Sequence, residues 1–236
     1  MIIKGFEEEG IIKIDNVRVY GLDESILASG YPMMTHTVDM DSVVDDEFDT
    51  LVEESDVKRA RHLGKAIPGS GHDCYLKGIT VQFDLQVSEY IWRQLDRYHF
   101  IDYISSQSKM HRILKLDIDE ACNKYVHKEN ILILNDMIDT YNNFEEFKNE
   151  ALEINKDNRL ELRSGEKVEI TKENIFNMII ANTPCGIMLT ARMTTNYLQL
   201  KSIISQRENH KMQEWRMLCD YFKTLPMVED LVIRNK

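Results

Sequence analysis

The chain has 236 residues, 43% of them apolar and 29% charged, with only 10 Gly and 4 Pro, which excludes collagen-like, low-complexity and disordered classes. A chain of this length buries roughly 70–75% of its unfolded surface, and one domain spanning residues 1–236 is the expectation. Its 40 acidic against 29 basic residues give a net charge of −11, which argues against gripping a nucleic-acid polymer through a general cationic surface. A small anionic ligand stays open, because it needs only a few local Arg or Lys.

Along Met1–Val19, short β-branched runs (Ile2–Ile3, Ile11–Ile14, Val17–Val19) are split by Glu7–Gly10 and read as short strands joined by turns. Gly21–Gly30 reads as a short helix capped by Asp23 and stopped by Gly30-Tyr31-Pro32. Asp39–Asp56 holds nine acidic residues with Val43, Val44, Phe48, Leu51 and Val52 interleaved at helical spacing, which predicts a solvated helix with one packed face. A basic helix over Ser55–Ala66 ends at the turn Ile67-Pro68-Gly69-Ser70-Gly71, and His72 leaves that turn directly. Ile79, Val81, Phe83 and Leu85 alternate with Thr80, Gln82 and Asp84, the period of a half-buried strand. From Val87 the period changes: Ile91, Leu95 and Tyr98 follow at helical spacing. Residues from about Cys122 to Lys156 read as helical, and Arg159–Arg163 with Lys167–Ile170 flank Ser164-Gly165 as a hairpin, an insertion over 157–171. Thr171 can cap a helix to Ala181 that Asn182-Thr183-Pro184 ends. One long helix is expected from near Thr194 to Thr224, with Pro226 beyond it.

The four cysteines (Cys74, Cys122, Cys185, Cys219) are far apart, so reduced thiols are expected rather than a zinc or redox pair. No metal site is expected. No apolar stretch approaches the roughly 20 residues that span a bilayer, and no signal-peptide pattern precedes the first strand-like run; the expected location is the cytoplasm. Neither GxxxxGK[ST] nor GxGxxG occurs, and no HExxH or Ser–His–Asp pattern stands out.

Three groups of residues can carry chemistry. In the last predicted helix, Asn196, Leu200, Ile203, Arg207 and His210 recur at spacings of four, three, four and three, so an arginine falls on an apolar stripe. A buried guanidinium without a partner costs several kcal/mol, so Arg207 must meet a carboxylate, a ligand phosphate or interfacial water. Tyr90, Gln94 and Arg97 share a second predicted helix face. An amide offers a donor beside an acceptor for a base edge, and a guanidinium a planar fork for a phosphate, although either is equally at home in solvent. His72 is a ligand contact, an acid–base group or a turn residue.

In their order along the chain, these pieces resemble the flavin-dependent thymidylate synthases (ThyX). Tyr75–Met110 and Asn182–Pro226 carry the likeness, with Gly71-His72 and Val17–Met34 more loosely. In that family a Gly-His pair leads into a strand, then a helix with Arg-Gln and an Arg-His-Arg, seven-residue, Ser-x-Arg-Tyr signature. Here the run is Gly71-His72, Arg93-Gln94, Arg97-Tyr98-His99, Phe100–Ser106 and Gln107-Ser108-Lys109-Met110. Near the C terminus the family's Asn, Arg and Ala-Gln appear as Asn196, Arg207 and Met212-Gln213.

The resemblance implies an α/β (α+β) fold with a mixed or antiparallel sheet and long helices. It also implies a homotetramer holding FAD between subunits, with dUMP against the flavin ring. The activity it implies is conversion of dUMP to dTMP with methylenetetrahydrofolate and NADPH and without an enzyme cysteine as nucleophile. Residue by residue it implies Arg207 and His72 as catalytic, Arg97, Tyr98, His99, Asn196 and Ser202 at the flavin, and Gln94, Gln107, Ser108, Lys109 and Arg207 at the nucleotide. His210 joins them by helical spacing only. Departures are specific: the signature's Ser, Arg and Tyr are Gln107, Lys109 and Met110, its His-Arg is Tyr98-His99, and an arginine ahead of the family's proline is Ile180. Lys109 keeps the charge but loses the bidentate fork. Two alternatives therefore stand beside dUMP methylation: a nucleotide-modifying enzyme with another base or one-carbon donor, and a nucleotide-binding oligomer without turnover.

Overall fold

The computed structural model describes residues 1–35, 52–67, 69–155 and 159–233, so most of the acidic helix expected over 39–56 lies outside the described residues. Contacts divide the chain into two units, the first being Met1–Val87, Arg93–Ser106 and Thr190–Lys236, the second Ser88–Trp92 and Gln107–Leu189.

The first unit is built on β1 (Ile2–Ile3), β2 (Phe6–Glu8), β3 (Ile12–Tyr20), β4 (Thr80–Ser88), β5 (Asp102–Ser106) and β8 (Met188–Asn196), in the order β1-β3-β4-β8-β5 with β2 also on β3. β3 and β4 run antiparallel, with Ile14 opposite Leu85 and Val19 opposite Val81, and β5 pairs antiparallel with β8. Alternation decides the faces: Val81, Phe83, Leu85 and Val87 are buried while Thr80, Gln82, Asp84 and Gln86 stay half-exposed. The helices of this unit are α1 (Leu22–Ala28), α2 (Glu54–Gly64), the Arg93–Leu95 end of α3 (Glu89–Leu95), α9 (Tyr197–Arg207), α10 (Gln213–Lys223) and α11 (Val228–Leu231). Phe83 meets Phe222 of α10 edge-on at 5.5 Å, and each such fully buried ring contributes roughly 1.5–3 kcal/mol of transfer free energy.

The second unit holds α4 (Lys109–Arg112), α5 (Ile118–Ala121), α6 (Lys128–Asn142), α7 (Phe144–Asn155), the hairpin β6 (Arg159–Glu161) and β7 (Lys167–Glu169), and α8 (Lys172–Asn182). Its core is aliphatic, gathered around Ile113, Leu134, Ile138, Ile175, Ile179 and Ile187. Thr171 caps α8 as its sequence predicts, its hydroxyl accepting from the Asn174 N–H at 3.1 Å.

Four expectations need correction. Ile2–Ile3 is a strand of its own, but the runs Ile11–Ile14 and Val17–Val19 are not separate: Ile12–Tyr20 is one strand with a register shift between Asp15 and Arg18, where Asn16 takes φ 51°, a left-handed conformation that Asn tolerates better than most residues. Asp23 does not cap α1, whose N-cap is Gly21. The helix expected to start near Thr194 begins only at Tyr197, because Asn196 and the residues before it form β8, in which Ala191, Met193 and Thr195 are buried at a period of two. The long final helix is two helices, for Glu208–Met212 forms a turn in which the His210 N–H donates to the Arg207 carbonyl and the Arg216 guanidinium donates to the carbonyls of His210 and Lys211. Among the described residues no helix is long and apolar enough to cross a membrane.

Candidate functional site

α3 ends at Leu95, and the chain then tightens into a turn: the Arg97 N–H donates to the Gln94 carbonyl at 3.3 Å and the Tyr98 N–H to the Leu95 carbonyl at 2.8 Å. Gln94 is thus presented by the last turn of a helix, and Arg97 by the turn beyond it. α9 begins at a capping box, in which Asn196 Oδ1 accepts from the Gln199 N–H at 2.9 Å and Gln199 Oε1 accepts from the Asn196 N–H at 3.1 Å. From that start the stripe Leu200, Ile203 is buried and Arg207 is the helix's last residue.

Arg207 meets rings. Its guanidinium carbon lies 4.6 Å from the Tyr98 ring centroid and 5.0 Å from that of Trp215, cation–π contacts worth about 0.5–2 kcal/mol each. Tyr98 and Trp215 meet edge-on at 5.2 Å, so the two rings brace one another. Arg207 Nε is buried without a hydrogen-bond partner among the described residues. The Trp215 indole N–H donates to Gln94 Oε1 at 2.9 Å, and the Tyr98 hydroxyl donates to Gln206 Oε1 at 3.1 Å. Gln94, Arg97, Tyr98 and Arg207 line a cavity of about 550 Å³, within the size range of small-ligand sites.

Burial raises the Tyr98 phenol above its ordinary value, with the Arg207 guanidinium pulling the other way. His210, half-buried beside this cluster, has its pKa lowered first by burial and then by the Arg207 charge. Its Nδ1 accepts from the Met212 N–H at 3.1 Å. Burial pushes Cys219 up to about 12 and Cys122 up to about 11, which keeps both as protonated thiols at neutral pH.

The other predicted positions are dispersed. His72 is exposed, and its neighbour Asp73 is buried against Lys201 of α9 at 2.7 Å. His99 is exposed, Ser202 half-buried on α9, and Asn196 spends its side-chain oxygen on the cap. Gln107, Ser108 and Lys109 belong to the second unit, where Ser108 precedes α4 and Lys109 Nζ pairs with Glu89 Oε2 at 2.9 Å. Tyr90 is there too, its hydroxyl accepting from Asn123 Nδ2 at 3.3 Å. Ile180 packs against that unit's aliphatic core. Sequence reading missed Trp215: an aromatic inside the amphipathic helix α10 carries no signal that separates a site residue from a core residue.

No protein-family model matches the chain, and no curated protein matches it. Solved structures do. Thymidylate synthase X from Helicobacter pylori, with FAD and dUMP, superposes with a TM-score of 0.57 at 12% identity, covering 94% of this chain and 96% of its own. A second structure of the same Helicobacter pylori enzyme with both ligands gives 0.55 at 12% identity, covering 92% and 96%. The UMP/dUMP methylase PolB from Streptomyces cacaoi, bound with 5-Br dUMP, gives 0.50 at 14% identity, covering 93% and 91%. The chain therefore has the ThyX-like fold, a mixture of helices and antiparallel sheet.

Proposed function

We propose that this protein is a flavin-dependent enzyme acting on a pyrimidine deoxynucleotide, converting dUMP to dTMP with methylenetetrahydrofolate as carbon donor and NADPH as reductant. The observation that carries it is Arg207: a guanidinium over the rings of Tyr98 and Trp215, with a buried Nε lacking a partner among the described residues, on the wall of a cavity of about 550 Å³. The shared fold, whose solved examples hold FAD and dUMP or 5-Br dUMP, supports the assignment.

Tested against the residues present, a nucleotide fits. Arg207 offers a planar fork to a phosphate or carbonyl oxygen, and the ring pair under it fixes its plane before a ligand arrives. Gln94 meets the base edge. FAD, when bound, supplies the hydride that it takes from NADPH. In this reading exposed Arg97 and His99 hold its anionic portion, Ser202 and Asn196 offer hydrogen bonds, and His72 lies at its edge. The assembly in this reading is a cytoplasmic homotetramer completing each flavin site.

A second reading keeps the enzyme and changes the base or the carbon donor. It is favoured by Lys109, tied to Glu89, and by Ile180, built into an aliphatic core, where the family carries two cationic contacts. An absorbance spectrum of the purified protein with added FAD, with and without dUMP, tests both readings: a visible flavin band that shifts on adding dUMP is expected, and no flavin uptake overturns them. Tritium release from C5-labelled dUMP then separates the first from the second.

A further inference from the structure

We propose that Trp215 determines which base the cavity accepts, by fixing the orientation of the Gln94 amide. This rests on the reading of the cavity as a nucleotide site and deepens it. The indole N–H is donor-only, so the atom facing it at 2.9 Å must be the amide oxygen of Gln94. Amide orientation is ordinarily ambiguous, and here the chemistry of the partner settles it. With Oε1 engaged, Gln94 has two N–H groups left to offer.

Of the remaining lining, Arg97 and Arg207 are donors without acceptor capacity, while the Tyr98 hydroxyl, its proton spent on Gln206, keeps only acceptor lone pairs. Three of the four lining side chains thus offer donors, which favours an acceptor opposite Gln94. With C4 of the base opposite the Gln94 amide, uracil presents a carbonyl, whereas cytosine presents an amino group, a donor that would face a donor. Sites built to hydrogen-bond a group discriminate strongly against an analogue that leaves them unpaired.

Trp215 is suited to hold this orientation because it is 1% exposed and braced by Tyr98 at 5.2 Å. It is a positioning residue: it acts through Gln94, and the same ring carries the Arg207 guanidinium at 5.0 Å. Replacing the indole by a phenyl ring removes the N–H, keeps an apolar body in the core, and frees the amide to rotate and present its oxygen.

The test is calorimetric binding of dUMP and dCMP to the full chain loaded with FAD, and to Trp215→Phe. These ligands share sugar and phosphate, so their affinity ratio isolates the base. The unsubstituted chain is expected to favour dUMP by about tenfold or more, the worth of one hydrogen bond made rather than opposed. Trp215→Phe should bring the ratio to within about threefold. A Trp215→Phe protein that keeps the parent's ratio overturns the proposal, as does a parent without preference. A parent that binds neither nucleotide overturns the nucleotide-site reading and this inference with it. Should Trp215→Phe not fold, Gln94→Glu decides: its carboxylate still accepts from the indole while showing the cavity an acceptor, so the ratio must move toward dCMP, and an unmoved ratio overturns the proposal.

Discussion

Lys201 Nζ lies 2.7 Å from Asp73 Oδ2, and the two side chains are only 5% and 3% exposed. The same ammonium donates to the carbonyls of Gly64 and Ala66, each at 2.8 Å, so all three of its N–H groups are used. One cation therefore joins the end of α2 and the residue directly after His72 to the helix that carries Arg207. Lys201→Met leaves a buried carboxylate and two carbonyls without their donor, which costs about 3–5 kcal/mol. The urea midpoint should fall accordingly. A midpoint within error of the parent's would show that the pair adds no net stability.

Gly64, whose carbonyl takes part in that clamp, is required for close approach. A Cβ there would collide with the backbone carbonyl of Leu231 and come 2.7 Å from the Tyr75 hydroxyl, which itself donates to the Ala60 carbonyl at 2.7 Å. α2, which carries Ala60, cannot give way without loosening that bond. Gly64→Ala is therefore expected to destabilise by about 1–3 kcal/mol, the range for overpacking, despite alanine's better helix propensity. Thermal unfolding checks it, and a raised Tm would contradict the contact.

Arg207→Lys separates charge from shape. The substitution keeps a cation on α9 but removes the planar group lying over Tyr98 and Trp215. Losing one charge-assisted hydrogen bond of about 1.5–3 kcal/mol corresponds to a nucleotide affinity lower by about 10- to 100-fold. Titration of dUMP into the FAD-loaded variant measures this. Parent-like affinity would mean that the guanidinium does not touch the ligand.

The hairpin over Arg159–Glu161 and Lys167–Glu169, and the Thr171 cap, could be read from sequence because local chemistry decides them: turn residues between segments that alternate charged and apolar side chains, and a hydroxyl before a periodic segment. The stripe ending at Arg207 was legible for the same reason. What carries that arginine was not, since Tyr98 and Trp215 lie 117 positions apart and come together only through tertiary packing. β8 could not be assigned from sequence because buried Met188, Ala191 and Met193 are as compatible with a helix as with a strand until sheet pairing selects the period of two. The break after Arg207 turns on the Arg216 and His210 hydrogen bonds to nearby backbone, which no propensity records.

His210 lies in that break, and its pKa is lowered by burial and by the Arg207 charge. In the unfolded chain the imidazole takes a proton at its ordinary value near 6.5, whereas the folded chain takes it only at lower pH. Between those two values the unfolded state binds more protons, so stability falls as pH drops below about 6.5 and levels out below the folded value. Protonation also removes the Nδ1 lone pair that accepts from the Met212 N–H. His210→Asn keeps a side-chain acceptor for that N–H two residues on and abolishes the titration. The drop in Tm between about pH 7.5 and about pH 5.5 should therefore be smaller in His210→Asn than in the parent, other groups titrating alike in both. An equal drop would assign the acid sensitivity elsewhere in the fold.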